Sequence, residues 1–271
     1  MIPLDDVLTT VTTWCGDLHI TSELPDDGRE WVDVGALARP EPARQSVAAM
    51  LAADANGDRG VAGAFHGLYL AHAVAGPLAA AAIGLHAVWA FDGGPVYARV
   101  HPDGRWFDAV AIVGARTRCS GDAGLTTSDD VLAAAAAGLI VFLDPIFTQI
   151  ATFTRYGLPG MWGHVADQIH HRALATGREP TDAWAAAARL TDHLAARVPL
   201  RTRPRLHSGT TSMVNGTCCL LYRTHTDPAG CDTGHCSVCP RLDRSAPLRN
   251  SKVGRSEPGI SEQVQPEGAA P

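Results

Sequence analysis

Apolar positions recur three and four residues apart over much of this chain, the spacing that lines one face of an α-helix. The run "EPARQSVAAMLAADA" from Glu41 has this pattern with a proline near its start. A helix is expected there, stopped by the glycine-bearing "NGDRG" that follows. Residues 61–91 contain no charged side chain. Their length would suit a membrane span. His66, His72, His86 and Pro77 instead point to a buried helical core with a break near Pro77. No two of those histidines lie four apart, so a shared metal site is not expected from them.

The period changes at "GPVYARVHPDGRWFDAVAIVG", where two runs alternate roughly by two around "HPDG". That predicts a β-hairpin. "EWVDVG" suggests one more short strand, within an otherwise mixed stretch over residues 1–40. Helical spacing returns from Ser128, the expected N-cap, with an interruption expected at Asp144-Pro145. "MWGHVADQIHHRALATG" and "PTDAWAAAARLTDHLAARV" predict two further helices, the first stopped by Gly177 and the second capped by Thr181. The expected fold is mainly α with a small β-hairpin element, an α+β arrangement. A helical domain over residues 1–210 carries a cysteine segment over 211–244. The Pro-, Ser- and Gly-rich stretch 245–271 is expected to be disordered.

Composition narrows the class. A chain of 271 residues can bury a core without disulfides. A net charge of −6 argues against a nucleic-acid partner. The opening "MIPLDDVLTT" lacks the basic and apolar regions of a secretory signal. A cytoplasmic location is expected, with attachment to the membrane surface left open. From residue 201 onward there are nine Lys or Arg against six Asp or Glu. Arg201, Arg203, Arg205, Arg223, Arg241 and Arg244 lie near the cysteines. They are either a solvated surface or a collar for an anionic group or an acidic partner.

Five of the seven cysteines fall in "TCCLLYRTHTDPAGCDTGHCSVCPR". Clustered thiols without a secretory signal read as metal ligands rather than a disulfide framework. Two groups suit them, a structural Cys₄ zinc or an iron–sulfur cluster. Zinc sites of this kind use two spaced cysteine pairs. Here one half is a C-x-x-C, Cys236 and Cys239, and the other is the adjacent pair Cys218 and Cys219. An extended backbone sends adjacent side chains to opposite faces. That suits a two-iron rhomb better than one small ion.

A vicinal cysteine pair, the run "LLYR" and a C-x-x-C-P near the C-terminus resemble the [2Fe–2S] motif of the FhuF-like ferric siderophore reductases. "GMWGHVADQIHH" and the hairpin resemble other parts of that family. The resemblance implies cluster ligands at Cys218, Cys219, Cys236 and Cys239. The family leaves about ten residues between the two halves, and here residues 220–235 separate them. Cys231 lies in that longer stretch and is an alternative ligand. The resemblance further implies an oxidoreductase with a ferric siderophore as substrate. One electron takes chelated Fe(III) to Fe(II), which a hard-oxygen cage holds weakly. No dinucleotide-binding or phosphate loop is present, so an external donor, a ferredoxin or flavoprotein, is expected. Tyr222 is a candidate shield for the cluster, and Trp162 reads as core. His164, His170, His171, His225 and His235 are weaker candidates for chelate or cluster contact. The rival readings are a non-enzymatic helical protein with a structural zinc, and an iron–sulfur carrier or sensor.

Overall fold

The computed structural model describes residues 2–91, 94–206, 212–224, 236 and 238–241. Cys231, His225, His235, Arg244 and the stretch from 245 lie outside the described residues.

The chain opens with α1 (Leu4–Cys15), a regular helix inside the stretch 1–40 expected to be mixed. Val7, Leu8, Val11 and Cys15 form its buried stripe, and Asp5 and Asp6 favour its N-terminus. Two short strands, β1 (His19–Thr21) and β2 (Trp31–Asp33), precede α2 (Pro40–Ala53). The turn after α2 places Asn56 and Gly57 at positive φ.

The apolar run then forms α3 (Arg59–Leu70), a π-helical turn (Ala71–Ala75) and α4 (Gly76–Gly84), in one continuous rod. The break expected near Pro77 is this wide turn. Pro77 sits in the first turn of α4, where its missing N–H costs little. The rod ends earlier than the apolar run suggests. His86 takes positive φ, and β3 (Ala87–Trp89) pairs with β6 (Thr117–Cys119). The stretches Arg59–Leu85 and Ser128–Phe153 are long and apolar enough to cross a membrane, and 72% of the first is buried within the protein.

The expected hairpin is present as β4 (Val96–Val100) and β5 (Phe107–Ile112). The His101 N–H donates to Trp106 O across its turn at 2.8 Å. It sits at the centre of a four-stranded sheet in the order β1-β5-β4-β2. β1 lies parallel to β5, and β2 antiparallel to β4.

Helix α5 (Ser128–Phe153) corrects two expectations. Its N-cap is Thr127, in a reciprocal box with Asp130, and Ser128 is already helical. Asp144-Pro145 does not interrupt it. Pro145 lies on the exposed side, and so does Val141, the residue four positions back. The carbonyl that Pro145 leaves unpaired is therefore on the side that water can reach. Helices α6 (Leu158–Ala175) and α7 (Pro180–Ala195) are as expected, except that Glu179 precedes α7 and Thr181 makes no cap. Gly177, at φ 74°, ends the α6 segment.

Helix α6 is the structural hub. Met161, Trp162, Val165, Ile169 and Ala173 are buried in the main core, and Phe147 meets the Trp162 ring edge-on. At its C-terminal end Arg172, 3% exposed, donates to Cys15 O, Asp17 Oδ1 and His72 Nδ1 at 2.9–3.0 Å. A guanidinium only donates, so His72 is neutral at Nδ1. Burial first, and then the Arg172 charge, push its pKa down to about 4. The fold is mainly α with small sheets.

Candidate metal centre

The cysteine segment is fixed to the other face of α6. Asp167, 2% exposed, accepts from the backbone N–H of Gly216 at 2.6 Å and of Thr217 at 3.1 Å. Thr217 also hydrogen-bonds Thr202 at 2.8 Å. The approach is close because α6 offers no side chain there. A Cβ on Gly163 would collide with Thr217 Oγ1. Burial pushes the Asp167 carboxyl up to about 8, against the two amide donors that favour its charged form.

One turn back, Tyr156 and His164 hold the next residue. The Tyr156 hydroxyl donates to Cys218 O at 3.2 Å and lies 3.1 Å from His164 Nε2. A carbonyl only accepts, so the hydroxyl proton goes to Cys218 and the hydroxyl oxygen accepts from His164 Nε2–H. His164 is fully buried, its Nδ1 has no partner among the described residues, and burial lowers its pKa to about 3. Gly160 faces the Tyr156 ring, where a Cβ would come within 2.5 Å.

The four thiols expected as ligands are brought near one another, and the charges of Cys219 and Cys239 act on both Cys218 and Cys236. Cys219 and Cys236 share a thiol hydrogen bond, and so do Cys218 and Cys239. The adjacent residues each meet a different member of the C-x-x-C. Among the described residues no group of three or more His, Cys, Asp or Glu is placed to hold a metal ion as the thiols stand. The C-x-x-C is a tight turn, with Cys239 N–H donating to Cys236 O at 2.9 Å. It is tied to β8 (Met213–Val214), which pairs with β7 (Arg205–Leu206), by the Asn215 N–H on Val238 O at 3.0 Å.

Backbone amides point at the sulfurs. Leu220 N–H reaches Cys218, Leu221 N–H reaches Cys219, and Val238 N–H reaches Cys236. The first two depend on Leu220 adopting the left-handed conformation at φ 60°. A leucine there costs about 1–2 kcal/mol. The hydrogen bond from Cys236 is the main influence lowering the Cys219 thiol to about 6, and the same bond raises Cys236. Burial raises Cys218. A proton shared within a tight thiol pair is the situation a metal resolves by replacing the proton. Four thiols with three amide donors fit a four-thiolate group, because N–H···S bonds stabilise charge on sulfur.

Leu220 and Leu221 pack on a second apolar cluster of Met50, Ala55, Val61, Ala62 and Phe65. Tyr222, within the 3₁₀ turn Leu221–Arg223, lies between Arg223 and Arg241, whose guanidinium carbons are 5.9 and 5.0 Å from its ring centre. Of the basic collar, Arg223 and Arg241 thus reach the cysteine segment. Arg203 instead pairs with Asp192 at 2.5 Å. Trp162 is core. His170 is buried against Trp184, with Nδ1 3.0 Å from Ala166 O. His171 lies on the exposed side of α6. Sequence reasoning missed Tyr156 and Asp167. The signal for Asp167 was present, since Gly160, Gly163 and Asp167 fall three and four apart on one face of a helix.

The structure is that of a mainly helical protein whose cysteine segment docks on a glycine-bearing face of α6. Comparison with protein families, curated proteins and solved structures finds no match.

Proposed function

We propose that this protein is a ferric-chelate reductase of the cytoplasm, holding a [2Fe–2S] cluster through Cys218, Cys219, Cys236 and Cys239 and resembling the FhuF-like reductases. The observation that carries the reading is the nearness of the four thiols, Cys219 meeting Cys236 and Cys218 meeting Cys239, with backbone amides directed at three of them. A two-iron rhomb takes two thiolates at each iron, and the adjacent cysteines supply one to each pair. When bound, the cluster supplies a one-electron centre.

The chain's own residues hold and tune that centre. Asp167 and Thr217 fix the strand leading into the vicinal pair. Tyr156 fixes the carbonyl of Cys218. Leu220, Leu221 and Tyr69 present apolar surface beside Cys219, and the amides of Leu220, Leu221 and Val238 stabilise charge on three sulfurs. The electron comes from an external donor of the ferredoxin or flavoprotein class and reduces Fe(III) of the bound chelate to Fe(II). No proton transfer is needed for that change, and no general acid or base is assigned.

The test is to reduce the protein anaerobically with dithionite, remove excess reductant and add ferric chelates. Stoichiometric bleaching reversal, with Fe(II) trapped by ferrozine, is expected. A colourless protein containing one zinc supports the structural-zinc reading. A coloured protein that no ferric chelate re-oxidises supports the carrier reading.

A further inference from the structure

Beside the cysteine loop lies an open cleft of about 660 Å³, lined by Asn56, Asp58, Arg59, Arg155, Leu220 and Arg223. Leu220 directly follows Cys219, so the cleft wall is one residue from a thiol of the centre. Three arginines line the cleft against one acidic residue. Asp58 is already used, capping α3 through the N–H of Gly60 and Val61 and meeting Arg223 at 3.4 Å. Among the described residues, neither the Arg59 nor the Arg155 side chain has an ion pair or hydrogen bond. Their backbones are joined, Arg155 N–H donating to Arg59 O at 3.2 Å, so both side chains start from neighbouring points of the cleft wall. The first turn of α3 adds the positive end of its dipole at the same place.

A second cleft of about 540 Å³, lined by Arg29, Glu30, Asp54, His101 and Arg105, lacks this surplus. There Arg105 is held by Glu30 at 3.1 Å and its N–H by Asp54, and Arg29 meets Asp108 at 3.7 Å. Its charges are spent on one another.

We infer that the Arg59–Arg155–Arg223 cleft is the docking site for the substrate of the proposed reductase, and that it selects multiply anionic ferric chelates, those with carboxylate or catecholate oxygens, over neutral trihydroxamates. Unpaired arginines take such oxygens in forked hydrogen bonds. The volume suits a small chelate. A chelate seated there lies against Leu220, the residue that follows Cys219. The inference rests on the reductase reading, and the two are separable by experiment.

The probes are redox-inert Ga(III) complexes of citrate, of a tricatecholate and of a neutral trihydroxamate. Each is titrated calorimetrically into the full-length protein at low and high salt. The two anionic complexes are expected to bind and to weaken as salt rises. If only one binds, that result identifies the oxygen type. Arg155→Ala is expected to weaken binding about tenfold, the worth of one charge-assisted contact, with Arg155→Lys recovering part of it. Arg59→Ala with Arg155→Ala together should weaken it further. Both arginines are exposed, and unchanged circular dichroism will show that the variants fold. Equal binding of the neutral complex, unchanged binding in the double variant, or no binding of either anionic complex overturns the inference. Gallium accepts no electron, so these results do not depend on the cluster. A protein that binds Ga(III)-citrate but holds no iron and sulfide would refute the reductase reading alone.

Discussion

The residues that matter most here are ones whose polar atoms have no alternative partner. Tyr156 is the clearest. Its hydroxyl joins the fully buried His164 to the Cys218 carbonyl, at a half-buried position. Tyr156→Phe leaves both groups unsatisfied and is expected to cost about 1–3 kcal/mol, read from denaturant unfolding. An unchanged midpoint would show that the bridge carries no stability. The cysteines were legible in the sequence because the motif is local: adjacency and a two-residue spacer are visible in a string. Tyr156 and Asp167 were not, because they meet the segment across 62 and about 50 residues of chain. Cys231, outside the described residues, is separated from the ligand set by substitution. Cys231→Ser is expected to leave the visible spectrum of the protein intact.

At the scale of elements, the junction between α6 and the cysteine segment sets where Cys218 and Cys219 lie. Gly163 is the point of closest approach, and a methyl group there has to displace Thr217. Gly163→Ala would ordinarily favour a helix. Here it is expected to push the segment away from Asp167 and cut iron retained per chain by more than half. Thr217→Ala in the same background is expected to restore part of it by removing the hydroxyl. Full retention in Gly163→Ala would mean that the segment docks by other contacts. The hairpin and the later helices followed from period alone. The parallel pairing of β1 with β5 did not, since it joins His19 to Ala109 and so depends on everything folded between them. Pro145 misled for a related reason. A proline in a helix is costly where its freed carbonyl is buried, and only the tertiary structure shows that it lies on the wet side.

For the whole molecule, four buried neutral histidines outweigh Asp167, whose raised carboxyl favours the fold as pH falls, in the response to acid. Burial holds His66, His72 and His170 near pKa 4 and His164 near 3, against an unfolded value of about 6.5. The unfolded chain therefore binds more protons between pH 6.5 and 4, and stability falls as pH falls through that window. Each histidine contributes up to about 1.4 kcal/mol per pH unit once its unfolded form is protonated. Urea midpoints at pH 7.5, 6 and 5 are expected to drop progressively. A flat profile over that range would contradict the burial of these rings. The same compactness explains why 61–91 reads like a membrane span: its rod is surrounded by other elements, and apolar side chains serve either setting.

The central claim is that four thiols, meeting in two pairs, hold two irons. Anaerobic purification followed by iron, acid-labile sulfide and zinc analysis, on the natural chain and on Cys236→Ser, tests it directly. The account predicts a red-brown protein with about two irons and two sulfides per chain, lost in Cys236→Ser. A colourless protein with one zinc, or a Cys236→Ser variant that keeps its full complement of iron and sulfide, would contradict it.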